Sequence, residues 1–274
     1  MTDPLPPSDA VDLPSDGGLS QSLPSDLAPN LPSNLAPGLA PGLSRGQRRV
    51  VAIIEILLCS SIPTQLSIQE LMQALGWSFG PEPSLSVITI LSVADTVALL
   101  AMMVVLTRAH GESVRTLWIG DRRPATEVAL GLLLVPPVFL IVGIVMTLLM
   151  RLVPVLHNVP NNPLEQLATG GPQDAALLAV VAIVAGGIRE EFQRAFLLQR
   201  FERHLGGAVV GVIVLSTAFG LGHLLQGRDA AVTTGALGAF WAIVYLRRRS
   251  AIAPMVSHAG FNALEVLRVA LLSS

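Results

Sequence analysis

A series of long apolar segments constrains the fold of this chain more than any other feature. Most of them approach or exceed the roughly 20 residues that a helix needs to cross the hydrocarbon core of a bilayer. They lie near residues 49–63, 85–107, 126–153, 173–200, 207–226, 229–247 and 251–272. Charged residues make up only 13% of the chain, against about 25% in soluble domains. The sequence therefore predicts an all-α, polytopic transmembrane helix bundle with about seven spans.

The N-terminal region differs in composition from the rest. From Leu23 to Gly42 a unit of four residues repeats as LPSD, LAPN, LPSN, LAPG and LAPG, with a proline in each unit. Such a stretch neither continues a helix nor supplies apolar surface for a core. It also lacks the basic start and apolar centre of a signal peptide. We expect a disordered tail over residues 1–44 and a transmembrane domain over residues 45–274.

The positions of the arginines predict the orientation in the membrane. Arginines cluster before the first span and after the second, fourth and sixth spans, whereas segments 64–84 and 154–172 contain none. Because loops rich in positive charge remain in the cytoplasm, we expect a cytoplasmic N-terminus in a multi-pass protein, consistent with a bacterial inner membrane. The net charge of −2 gives no basis for nucleic-acid binding.

Three of the late spans contain polar side chains at helical spacing. Charged groups inside a membrane are costly, and they usually mark functional sites. A carboxylate can take a proton from water while a nearby histidine holds that water, and a second histidine and an amide can donate to the oxyanion that forms. These residues are Glu190, Glu191 and Arg194 in the fourth span, Phe219 and His223 in the fifth, and His258 and Asn262 in the last.

These motifs resemble those of the CPBP family (CAAX protease and bacteriocin-processing, also called Abi) of intramembrane proteases. That family is recognised by Glu-Glu-x-x-x-Arg, Phe-x-x-x-His and His-x-x-x-Asn on successive late helices. Residues 219–223 and 258–262 match the second and third motifs in full. The resemblance covers roughly residues 173–265, with the motifs within 186–265, and it implies a helical intramembrane peptidase that acts on a peptide or protein substrate in or near the bilayer.

The resemblance also implies roles for individual residues. A glutamate-activated water would cleave the peptide without an obligatory cofactor, and a divalent metal at Glu190, His223 and His258 is left open. The implied catalytic residues are Glu190, Glu191, His223, His258 and Asn262, with Arg194 and Phe219 in support.

The first motif departs from the family pattern, because only Phe192 and Gln193 separate Glu191 from Arg194. Alignment on Arg194 places Arg189 in the first glutamate position and Glu190 in the second. Alignment on the glutamate pair retains both carboxylates and moves the arginine by about 100° around the helix. Glu190 is a motif carboxylate in both alignments, so we expect it to be the general base. In the arginine-anchored alignment Arg194 pairs with Glu190, and Glu191 faces a neighbouring helix or the headgroups.

Two other functions compete with the peptidase. A catalytically silent relative would act as a membrane binding or chaperone module, and the irregular first motif is compatible with that. A transporter could use the same intramembrane residue types. Transporters often contain internal repeats, and the absence of a repeat between the two halves of this sequence counts against that function.

Overall fold

The structure is a computed structural model that describes Met1 and residues 43–77, 84–159 and 162–272. Contacts divide the chain into two units, Met1–Ala36 and Pro37–Ser274. Apart from Met1, all described residues belong to the second unit. The predicted disordered tail, residues 1–44, lies outside the described residues except for Met1, Leu43 and Ser44, so it stays a prediction.

Helices account for all the regular secondary structure of the described residues, which confirms the predicted all-α class. They are α1 Arg45–Leu58, α2 Ile62–Ala74, α3 Leu85–Ala109, α4 Val114–Trp118, α5 Pro124–Leu152, α6 Pro163–Leu167, α7 Pro172–Val181, a π-helix Ala182–Arg189, α8 Glu190–His204, α9 Ala208–Leu221, α10 Arg228–Arg248 and α11 Ile252–Leu272. Short 3₁₀ turns cover Pro154–Leu156, Ala168–Gly170 and Leu224–Gln226. The chain passes without a break from α7 through the π-helix into α8.

Within the described ranges, four helices are long and apolar enough to cross a membrane: α3, α5, α10 and α11. Helices α1 and α2 together form a fifth candidate, bent by 42°. The shorter α9 is also apolar, and large aliphatic side chains are exposed along the outer faces of these helices. The protein is therefore an integral membrane protein. Each of the seven predicted segments coincides with helix, whereas a count of seven spans stays a prediction.

Local sequence explains where α1 begins and where it bends into α2. The Ser44 hydroxyl accepts a hydrogen bond from the backbone of Gln47, and the Gln47 side chain accepts one from the backbone of Ser44. This capping box satisfies backbone N–H groups that a helix start leaves unpaired. At the bend, Ser61 adopts a φ of 70° and Pro63 lies in the first turn of α2. The bend directs the Ser61 side chain towards the end of the π-helix.

The arginine-rich segments meet at one end of the bundle. Arg200, near the end of α8, donates to Glu112 in the connection between α3 and α4 at 2.9 Å. Arg249, directly after α10, forms an ion pair with Glu202 on α8 at 2.6 Å. These arginines lie at the same end of the bundle, as expected if the arginine-rich connections all face one compartment. Which compartment this end faces stays a prediction.

Cysteine labelling tests the orientation. In a Cys59→Ser background, Val155→Cys should react with a membrane-impermeant maleimide applied to intact cells, because residues 154–172 are expected outside. Asp121→Cys should react only after permeabilisation, because it lies in the arginine-rich connection before α5. Both parent side chains are exposed. Labelling of Asp121→Cys from outside would reverse the predicted orientation.

Candidate active site

His258 on α11 lies between the two carboxylates at the start of α8. Its Nδ1 is 2.9 Å from Glu191 Oε1, and its Nε2 is 3.9 Å from Glu190 Oε2. Because a carboxylate only accepts, Nδ1–H donates to Glu191, and Nε2 of the neutral ring presents a lone pair towards Glu190. The Trp241 ring stacks on the imidazole, with centroids 3.8 Å apart. The histidine is therefore fixed in both position and tautomer.

Glu191 is the buried member of the glutamate pair, with 1% of its surface exposed. Arg194 donates to its Oε1, whereas Oε2 is buried without a hydrogen-bond partner among the described residues. The pairing of Arg194 with Glu190, which the arginine-anchored alignment predicted, is wrong. The pair forms at a spacing of three residues instead of four, and both spacings place side chains on one helix face. Glu191 contacts a neighbouring helix, α11, and does not point to the headgroups.

The Arg194 guanidinium also packs against two aromatic rings of the neighbouring helices. Its Cζ lies 4.7 Å from the centroid of Phe219 and 5.7 Å from that of Trp241. Cations at these distances are attracted by the negative face of the ring. Phe219, which the motif identified as a supporting residue, therefore helps to hold the arginine that pairs with Glu191.

Glu190 has a different cationic partner, Arg189. The Arg189 Nη2 donates to Glu190 Oε1 at 3.1 Å, while Nη1 donates to Asp95 Oδ2 at 2.9 Å and to Ser61 Oγ at 2.6 Å. Asp95 lies on α3, is 1% exposed, and also accepts a hydrogen bond from Thr64. This buried carboxylate balances the charge of Arg189, so the guanidinium can lie beside Glu190 within the bundle.

Asp95 belongs to none of the three sequence motifs. One available signal was the position of an acidic residue within an apolar span. A carboxylate there requires a partner. Arg189, directly before the glutamate pair of the first motif, is a cation for which the sequence predicted no partner. Other charged residues of the apolar segments that belong to no motif also form ion pairs: Glu55 with Arg200, Glu127 with Arg248, and Glu265 with Arg268.

The π-helix sets the direction of the side chains in the first motif. Turns of this type are rare, and they occur often at functional sites. Asn262 Nδ2 on α11 donates to the Ala182 carbonyl at 3.0 Å, which ties the start of the π-helix to α11. Since a π-turn contains more residues than an α-turn, the side chains that follow it point in directions that α-helical spacing does not predict. Both glutamates therefore approach His258 from one helix.

Gly187 lets the π-helix and α11 approach closely. A Cβ at this position would lie 2.5 Å from Ala259 Cβ and 2.8 Å from Ala259 Cα. We expect Gly187→Ala to force the helices apart and to lower the free energy of unfolding by about 1–3 kcal/mol, measured by SDS titration in mixed micelles. The control is Gly143→Ala on α5, where an added Cβ meets nothing within 4 Å. Unchanged stability of Gly187→Ala would contradict this packing.

His223 lies across Phe219 from His258. Its Nδ1 is 2.8 Å from the Phe219 carbonyl, which only accepts, so Nδ1–H donates and Nε2 of the neutral ring carries the lone pair. The Phe219 ring makes edge contacts with both imidazoles, at centroid distances of 4.8 Å to His223 and 6.1 Å to His258. The aromatic ring therefore separates the two histidines and orients both.

A cavity of about 530 Å³ connects most of the predicted site residues. His223, His258, Asn262 and Phe219 line it together with Trp241. Of the predicted catalytic residues, both histidines line the cavity, whereas Glu190 is not among the described residues around it. Its carboxylate faces His258 Nε2.

The arrangement of Glu190, His223 and His258 does not support a metal site. In the described part of the chain, no three His, Cys, Asp or Glu side chains are arranged to hold a metal ion. The independence from cofactors expected from the family stays a prediction.

Comparison with known proteins identifies one matching family. Residues 172–264 match the family described as "Type II CAAX prenyl endopeptidase Rce1-like". No curated protein and no solved structure matches the chain. The matched segment runs from α7 into α11 and contains all the predicted site residues, whereas Asp95 and Ser61 lie outside it. Over residues 172–264 this chain therefore matches the CAAX protease family that its motifs predicted.

Proposed function

We propose that this protein is an intramembrane endopeptidase of the CAAX protease type, which uses a glutamate-activated water to hydrolyse a peptide bond. The observation that carries the proposal is the position of His258 between Glu190 and Glu191. The substrate is a peptide or protein that reaches the site from within or beside the bilayer. The cavity beside His258 has a volume within the range of ligand-binding pockets, and it combines apolar side chains with a few polar groups, as such pockets do.

Glu190 is the general base in this mechanism. The 3.9 Å between its Oε2 and His258 Nε2 is too long for a direct hydrogen bond, and a single water can bridge polar atoms at such a separation. Glu190 takes a proton from the water as its oxygen bonds to the peptide carbonyl carbon. The same carboxyl group then returns the proton to the leaving amine as the C–N bond breaks. The Arg189 guanidinium stabilises the negative charge of Glu190 before the reaction.

Glu191 and Arg194 position His258. The hydrogen bond from Nδ1–H to Glu191 keeps the Nε2 lone pair directed at the reacting water, as a carboxylate orients the histidine of a catalytic triad. Arg194 neutralises Glu191 in the bundle interior, where an unpaired carboxylate would be costly. Both members of the pair therefore act through the histidine, and neither touches the substrate.

In this mechanism His223 and Asn262 stabilise the oxyanion. Both line the cavity beside His258. The Asn262 amide has two N–H groups, of which one donates to the Ala182 carbonyl, so the second can donate to substrate. His223 supplies a hydrogen bond through Nε2 when the ring is protonated. Loss of one oxyanion donor typically lowers kcat by about 10²–10³-fold.

Cleavage of a reporter peptide by the purified full-length protein in detergent micelles tests the function. We expect cleavage that a chelator of divalent ions does not abolish and that Glu190→Gln abolishes. A folded wild-type protein that cleaves no member of a diverse peptide library would instead support the silent module, with Arg189 in the first glutamate position of the motif as its sequence basis.

A further inference from the structure

A second cavity, of about 600 Å³, lies at the arginine-rich end of the bundle. It forms where the start of α1 meets the end of α8 and the connection to α9, and it shares no lining residue with the cavity beside His258. The charged and titratable residues that line it are Arg45, Arg48, Arg49, Glu202, Arg203 and His204. The proposed peptidase mechanism uses none of them.

Three of these arginines lie on one face of α1. Arg45, Arg48 and Arg49 are separated by three and four residues, so their side chains leave the helix on the same side. The capping box at Ser44 fixes the first turn that carries them. Arg45 and Arg49 are exposed. Guanidinium groups held together on one wall repel one another unless an anion lies between them.

The acidic residue in the lining does not neutralise these arginines. Both Glu202 carboxylate oxygens accept hydrogen bonds from Arg249, at 2.6 and 2.7 Å. In contrast, His204 Nε2 is buried without a hydrogen-bond partner among the described residues. The cavity therefore combines an excess of positive charge with an unsatisfied polar nitrogen.

The titration of His204 reflects the same local field. Burial lowers the pKa of its imidazole below the ordinary 6.5, and the positive charges of Arg200, Arg203 and Arg48 lower it further, while Glu55 opposes them. Since a bound anion would favour the imidazolium form, it would raise this pKa. The pKa of His204 should therefore show whether an anion is bound.

We propose that this cavity binds phosphate oxyanions, supplied by the headgroup of an anionic lipid or as free phosphate. The planar guanidinium matches phosphate oxygens with two parallel hydrogen bonds, and three such groups share the α1 wall. The face of α1 beyond them exposes apolar side chains, among them Val50, Ile53 and Leu57. A basic helix start followed by an apolar exposed face is the arrangement expected where a helix leaves an anionic membrane surface.

Native mass spectrometry of the full-length protein in detergent tests the site. Phosphatidylglycerol is titrated against phosphatidylcholine, and inorganic phosphate is titrated alone. A basic residue near an anionic surface contributes about 1 kcal/mol, or about fivefold in affinity. We therefore expect Arg45→Gln combined with Arg49→Gln to weaken phosphatidylglycerol binding about 25-fold. The matched control is Arg123→Gln with Arg247→Gln, two exposed arginines at the same end that do not line the cavity.

The outcomes separate the two sources of phosphate. Binding of phosphatidylglycerol alone, lost in the Arg45/Arg49 variant and retained in the control, identifies a lipid headgroup; equal binding of inorganic phosphate with the same dependence identifies a free oxyanion. In either case the NMR titration of His204 should shift to higher pH when the ligand binds. Equal weakening in the control, or binding of neither probe, would overturn the proposal. None of these results depends on peptidase activity.

Discussion

Replacing Glu190 with Gln should lower the rate of peptide cleavage by about 10²–10⁴-fold, the usual effect of losing a general base. Glutamine retains the size of the side chain and removes the basic oxygen that lies 3.9 Å from His258 Nε2. The fold should be retained, because Glu190 is only partly buried and Arg189 keeps Asp95 as a partner. Initial rates with a fluorogenic peptide, together with the melting temperature of each variant, measure both effects.

Glu191→Gln should also lower the cleavage rate, through a different route. The neutral amide cannot balance the Arg194 charge, so a buried guanidinium loses its counter-charge and the hydrogen bond that orients His258 becomes weaker. This variant should therefore lose stability as well as activity. The alignment on Arg194 paired that arginine with Glu190, and the Arg194–Glu191 ion pair shows that this pairing is wrong.

The control for both variants is Glu70→Gln, an exposed carboxylate on α2 outside the site. It should cleave at the wild-type rate and melt at the wild-type temperature. Full activity in Glu190→Gln with none in Glu191→Gln would show that Glu191 is the base. Full activity in both variants would remove the carboxylates from the mechanism.

Asp95→Asn should lower the free energy of unfolding by about 1–3 kcal/mol, because it removes one of the two carboxylates that pair with the buried guanidinium of Arg189. Arg189 is 8% exposed and Asp95 1%, so solvent does not replace the lost interaction. Cleavage should fall as well, since the charged hydrogen bond to Asp95 that helps to hold the Arg189 guanidinium beside Glu190 is weakened. SDS titration in mixed micelles measures the first effect, and peptide cleavage measures the second.

A second substitution tests whether the pair acts as a unit. Combining Asp95→Asn with Arg189→Gln removes both charges, and replacing both partners of a buried pair is often nearly neutral. The double variant should therefore recover most of the stability that Asp95→Asn loses. As a control, Glu202→Gln breaks the more exposed pair with Arg249, and it should change stability by about 0–1 kcal/mol. Additive losses in the double variant would show that Asp95 and Arg189 are not coupled.

Local patterns determined the helices and the residue types of the site. The apolar segments predicted where helix occurs, since a backbone in lipid must satisfy its own hydrogen bonds. Ser44 and Gln47 start α1 through contacts that span three residues. The four-residue spacing of His258 and Asn262 likewise places both on one face of α11. There His258 contacts Glu191 at the start of α8, and Asn262 contacts Ala182 at the start of the π-helix.

Tertiary structure decided which charges pair. No periodic sequence pattern predicts the π-helix at Ala182–Arg189. In the structure that follows it, Glu191 pairs with Arg194 and contacts His258, whereas Glu190 pairs with Arg189. Asp95 reaches Arg189 from a helix 94 residues earlier in the chain. Helical periodicity predicts which residues share a face, but partners on different helices depend on how those helices pack. The energy of a buried charge depends on such partners, so the arrangement of the site was determined only by the packing of α1, α3, α8 and α11.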